Sequence, residues 1–132
     1  MAGFHRAVKE KGWEAIVRRL VDKQLHRAAS PDVKEWAVKE YLKTPLYVRE
    51  QEEEALLGEI HHTERVQEIR VPTLLVAGES EELEIYQQME FMSSRIPDAE
   101  WHVVKNAAHM PNFEQPVEFN SIMSRFLQRI GY

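Results

Sequence analysis

At 132 residues, with 43% hydrophobic and 30% charged side chains, the chain has the size and composition of one ordinary folded domain, which argues against disorder. A net charge of -5, with acidic and basic residues mixed along most helices, argues against a nucleic-acid footprint or an anionic-membrane surface, and neither partner is expected. The absence of cysteine removes disulfides and thiolate chemistry and fits a reducing compartment, so a cytoplasmic location is expected; no apolar run is long enough to span a bilayer, and "MAGFHRAVKEKGW" carries charges where a signal peptide needs an apolar core.

Residues 4 to 62 read as helices. Trp13, Ile16, Val17, Leu20 and Val21 fall at helical spacing, followed by Val33, Trp36, Ala37, Tyr41 and Leu42. "SPDV" at 30 to 33 is a helix start: Ser30 caps, Pro31 suits the first helical position and Asp32 complements the positive helix end. A third helix continues after Pro45, and no strand is evident before residue 72. The aromatic residues Trp13, Trp36, Tyr41 and Tyr47 are read as core at helical spacing, with the lining of an apolar site as the alternative.

The pattern changes at "RVPTLLVAG". Thr73 to Ala77 is a short apolar β-rich run ending at Gly78, of the kind expected for a strand buried on both faces. A helix follows with Leu83, Ile85, Tyr86, Met89, Met92 and Ile96 as apolar positions, then a turn at Pro97-Asp98 and a second strand, "EWHVV", at 100 to 104. The closing helix runs from Pro116 to Arg129, with Phe119, Ile122, Met123, Phe126, Leu127 and Ile130 toward the core. This order predicts a parallel β-α-β-α unit and an α/β fold class. Two parallel strands leave unpaired edges, and a unit of about 60 residues is near the lower limit for a self-sufficient core. The chain is therefore expected to be part of something larger or one protomer of an assembly.

"IRVPTLLVAGESEELEI" and "IPDAEWHVVKNAAHMPNFEQPVEFNSIMSRFL", within a match over residues 66 to 127, resemble the C-terminal portion of α/β-hydrolases, especially the enol-lactonase and esterase branch. The resemblance implies a partial α/β-hydrolase fold, with residues 1–65 as a helical cap-like segment and 66–132 as the end of the core. It assigns His109 to the general base and Glu81, third after Gly78, to the triad acid, with Glu79 and Glu82 as rivals. Two residues depart from the pattern: the acid is usually aspartate, and Ala107 and Ala108 stand where the family has glycines. A glutamate can serve where a carboxylate need only fix the imidazole tautomer and stabilise the imidazolium, but its extra methylene demands a shifted backbone. Met110 is expected to border a substrate pocket.

In the complete family a serine attacks an ester or lactone carbonyl while His109 would take its proton, with no metal or organic cofactor. The serine's G-x-S-x-G elbow belongs upstream of the cap, and these 132 residues hold none. Ser80, in "GES", mimics half an elbow but is followed by Glu82 where a small residue is needed, and its carboxylate neighbours oppose an alkoxide-like oxygen. The chain is expected to supply the base and acid of a triad completed by upstream sequence or a second chain, acting on a small-molecule ester or lactone. The alternative is a non-catalytic module, a homo-oligomer or the partner of a complementary chain. His61-His62 with Glu64 is read as structural rather than metal-binding, His102 as a packing residue, and His5 and His26 as part of no constellation.

Overall fold

In the computed structural model, residues 2–56 and 63–132 are described, with side chains omitted for residues 2–5, 53–56 and 63. The chain divides into two compact units, one made of Met1–Lys23 and Ser30–His61 and the other of Gln24–Ala29 and His62–Tyr132.

The first unit holds helices α1 (Ala2–Lys11), α2 (Trp13–Gln24, whose last residue groups with the other unit), α3 (Pro31–Lys43) and α4 (Leu46–Leu56). Gly12 separates α1 from α2 in the left-handed region, at φ 81°, where its amide donates to the Val8 carbonyl. A side chain there would be strained, so the break follows from the glycine. Val17 and Val21, four residues apart on α2, and Ala37 and Val38 on α3 are buried. Ser30 caps α3, its hydroxyl accepting from the Val33 amide at 3.3 Å with Pro31 in the first turn. Arg18 joins the two helices: it bonds Glu14 one turn back at 2.8 Å and Glu35 of α3 at 2.9 Å, and Lys34 reaches Asp22 at 3.2 Å. Two of the four expected core aromatics are exposed, Trp36 at 39% and Tyr47 at 62%. An amphipathic ring with a polar tip loses little at a surface, so helical spacing alone did not decide their burial.

The second unit is built on two parallel strands, β1 (Thr73–Gly78) and β2 (Ala99–Val104), aligned from Thr73 opposite Ala99 to Gly78 opposite Val104. A 3₁₀ turn (Thr63–Glu68) precedes β1, helix α5 (Leu83–Arg95) connects the strands, and a one-turn helix α6 (Pro111–Glu114) leads into α7 (Pro116–Arg129). Leu74 and Val76 pack against Val104, Ala107 and Ile122 on one face. The register puts Leu75 beside Trp101, whose ring meets Tyr86 of α5 edge to face at 5.5 Å.

Burial is less complete than the sequence predicts. Only Leu75, Ala77 and Gly78 of β1 are buried, together with Val104 alone on β2. No residue within α5 is buried: of the six expected apolar positions Leu83 is 64% exposed, Ile85, Tyr86, Met89 and Met92 are half-buried, and only Ile96, at the C-terminal end, is buried. Ile122 and Phe126 of α7 are buried, whereas Leu127 is exposed. The reason is width. Two strands lie about 4.8 Å apart while a helix with side chains is about 10 Å across, so the sheet covers only the centre of each helix.

Candidate active site

Both strands of a parallel pair deliver their following loops to the same end, which is where α/β sheets place their ligands. Here β1 ends in residues 79–82 and β2 in residues 105–110, and backbone bonds lace the two loops together. The Glu79 amide donates to Val104 O at 2.9 Å and the Ser80 amide to Ala107 O at 3.0 Å. The Glu79 carboxylate accepts from the Asn106 amide at 3.0 Å.

Gly78 makes the crossing possible. A Cβ at this position would lie against the carbonyl oxygens of Ala107 and Ala108, well inside van der Waals contact. Those two alanines are almost fully buried, and neither has a positive φ. The left-handed residue of the loop is Asn106, at φ 52°, a type that tolerates this region, so alanine is admissible where the family pattern has glycine.

His109 follows directly. Its Nδ1 lies 3.0 and 3.1 Å from the two carboxylate oxygens of Glu81. The Glu81 side chain is only 5% exposed and accepts a further bond from the Glu82 amide at 2.9 Å, while the imidazole is 37% exposed. An ionised carboxylate can only accept, so Nδ1 carries the proton and the lone pair is left on Nε2. Nε2 has no partner among the described residues. Of Glu79, Glu81 and Glu82, Glu81 is the one at the imidazole; Glu79 is committed to Asn106.

Met110 is half-buried beside the histidine, and its amide is bonded to Glu114 at 3.1 Å. Ser80 is exposed, and its hydroxyl has no hydrogen-bond partner among the described residues, so it is not coupled to His109. His102 sits on β2 with Nε2 3.4 Å from Glu100, which also pairs with Arg129. His61-His62 lie outside the described residues, as does the side chain of His5. Among the described residues no group of three or more histidine and acidic side chains is placed to hold a metal ion. No helix among them is long and apolar enough to cross a membrane.

Sequence reasoning missed the support of this site. Glu114 accepts from the amides of His26 at 2.6 Å, Ala108 at 2.9 Å and Met110 at 3.1 Å, and the His109 amide donates to Gln24 O at 2.9 Å. His26 is buried, its Nδ1 accepting from the Ala28 amide. The available signal was an acidic residue in the first turns after Pro111, the pattern that reaches back to unpaired helix-start amides.

No family model matches the chain. Three curated relatives do: a 3-oxoadipate enol-lactonase of Acinetobacter baylyi, 34% identical over 67 residues, a proline iminopeptidase of Heyndrickxia coagulans, 34% over 68, and an uncharacterised carboxylesterase of Bacillus subtilis, 39% over 64. These matches take 51%, 52% and 48% of this chain but 25%, 23% and 21% of the relatives. A thermophilic esterase of Thermogutta terrifontis superposes with a TM-score of 0.77 at 20% identity, over 96% of this chain and 48% of the esterase. The chain carries part of an α/β-hydrolase fold, the part that matches the C-terminal segment of these proteins. The chain spans about half the length of that solved structure, and its sequence matches cover about a quarter of the curated relatives.

Proposed function

We propose that this hydrolase portion supplies the base and acid of a serine hydrolase acting on a small-molecule ester or lactone, with the nucleophile contributed by sequence outside these 132 residues. The observation that carries the reading is the His109–Glu81 pair, with Nδ1 held at 3.0 Å and Nε2 without a partner among the described residues. A serine hydroxyl presented to Nε2 attacks the carbonyl as its proton passes to the imidazole. Glu81, itself bonded by the Glu82 amide, then faces the imidazolium charge. The same Nε2 proton goes to the departing alkoxide oxygen, and a water activated at Nε2 cleaves the acyl-enzyme. The ester or lactone class is supported by the enol-lactonase and carboxylesterase among the relatives. Met110, next to the base, is proposed to border the acyl group.

The test is a single-chain fusion. The part of the Thermogutta esterase that this chain does not match, to which the resemblance assigns the serine elbow, is joined upstream of the full 132 residues. Turnover of p-nitrophenyl acetate and of a simple lactone, together with a fluorophosphonate adduct on the esterase-derived serine, is expected, and His109→Ala should abolish both. A folded fusion without turnover, or an adduct on a serine of this chain, overturns the reading.

A second reading is favoured by one observation: among the described residues the sheet has only two strands, so each has an unpaired outer edge. Such edges are association surfaces in a non-catalytic module as readily as in an incomplete enzyme.

A further inference from the structure

The amides on either side of the base end on one oxygen. Glu114 Oε1 accepts from Ala108 at 2.9 Å and from Met110 at 3.1 Å, while Oε2 accepts from His26 at 2.6 Å. The intervening amide, that of His109, donates to Gln24 O at 2.9 Å. Three consecutive N–H groups of the loop are thus committed, two to Glu114 and one to the segment that Glu114 also grips. Glu114 is half-buried and lies on α6, immediately ahead of α7, so its carboxylate is anchored to a packed element. Bonds from N–H groups to an ionised oxygen are stronger than neutral ones, and leaving such donors unpaired in a half-buried site is costly.

We propose that Glu114 is the positioning residue of His109: by clamping residues 26, 108 and 110 it holds the imidazole where Nδ1 meets Glu81, without itself touching substrate. The proposal rests on the triad reading, since a fixed Nδ1 matters to the chemistry only if His109 is the base. Glutamine in place of Glu114 has one accepting oxygen and an amino group that can only donate. It can serve Ala108 and Met110 or His26, but not both sets. The backbone on one side of the loop is then released, and the imidazole is no longer held against the carboxylate that selects its tautomer.

The experiment reads the tautomer rather than turnover. Long-range proton–nitrogen NMR of the full 132-residue chain, at a pH where the imidazole is neutral, reports which ring nitrogen of His109 carries the proton. The native chain is expected to show mainly the Nδ1–H form. Glu114→Gln should convert it to mainly Nε2–H, the form free histidine prefers. Glu118→Gln, at an exposed position on α7, should leave it unchanged. If Glu114→Gln does not fold, Glu114→Asp, which keeps the charge but is one methylene short, carries the same comparison. A folded Glu114 variant that retains the Nδ1–H form overturns the proposal. The two readings fail separately: an inactive but folded fusion with the native tautomer intact removes the triad and not the clamp. An active fusion whose tautomer ignores Glu114 removes the clamp and not the triad.

Discussion

Glu79 and Glu81 are two residues apart and meet different partners, the first the Asn106 amide at 3.0 Å and the second the His109 imidazole. Substitution therefore separates them. In the active fusion Glu81→Gln should lower turnover by about 10²- to 10⁴-fold, because an amide at this position no longer selects the productive tautomer or faces the imidazolium. Glu79→Gln retains a carbonyl oxygen for Asn106 and should leave turnover within about twofold, while Glu79→Ala loses one hydrogen bond and should cost about 1 kcal/mol in chemical denaturation. Equal losses for Glu79→Gln and Glu81→Gln would show that the acid has been misassigned. At this scale the resemblance pointed to His109 and to one of Glu79, Glu81 and Glu82, and the structure pairs Glu81 with the imidazole. Glu114 was not legible, because its partners are backbone amides of residues 26, 108 and 110, and an amide has no letter in the sequence.

Elements show the same division between what pattern reveals and what packing decides. Both strands and helices α2, α3, α5 and α7 follow from periodicity and caps, Ser30 among them. The exposure of Leu83, Trp36 and Tyr47 does not, since it depends on how wide a surface the neighbouring element offers. Where a side chain is covered, truncation is expensive: Ile122→Ala, beneath Leu74 and Val76, should destabilise by about 2 to 5 kcal/mol in denaturant unfolding. Gly78→Ala acts by a different route. The added methyl meets the backbone of Ala107 and Ala108, which cannot rotate aside as a side chain would, so the loop must move. The expected result is loss of the Nδ1–H signal of His109 in a chain that still shows native helical circular dichroism; an unchanged signal would mean that the loop has room the structure does not show. Between α2 and α3, the hydrogen bond from Arg18 holds the Glu35 carboxyl below the usual carboxylate range. Its stabilisation is therefore present above the unfolded-state value and is lost as pH falls through the folded one. The melting difference between the native chain and Arg18→Met should shrink toward zero on acidification. It should shrink also in salt of about 0.5 M, because the pair is exposed and screened.

For the whole chain, the decisive quantity is the sheet. Among the described residues the sheet has two strands, each with an unpaired outer edge, and of β2 only Val104 is fully buried. In the fusion the esterase-derived strands cover them, and the product should be a monomer. In the isolated 132-residue chain the same edges are available to a second copy. Edge pairing is cheap because each strand already presents an aligned row of N–H and C=O groups. Sedimentation velocity over a hundredfold concentration range should therefore give a mass that rises above the 15.5 kDa of one chain, while the fusion stays monomeric at every concentration. A monomer in both cases would remove the edges as the driving surface and the association reading with them. Association in both would place the contact elsewhere, on a surface the added strands do not cover.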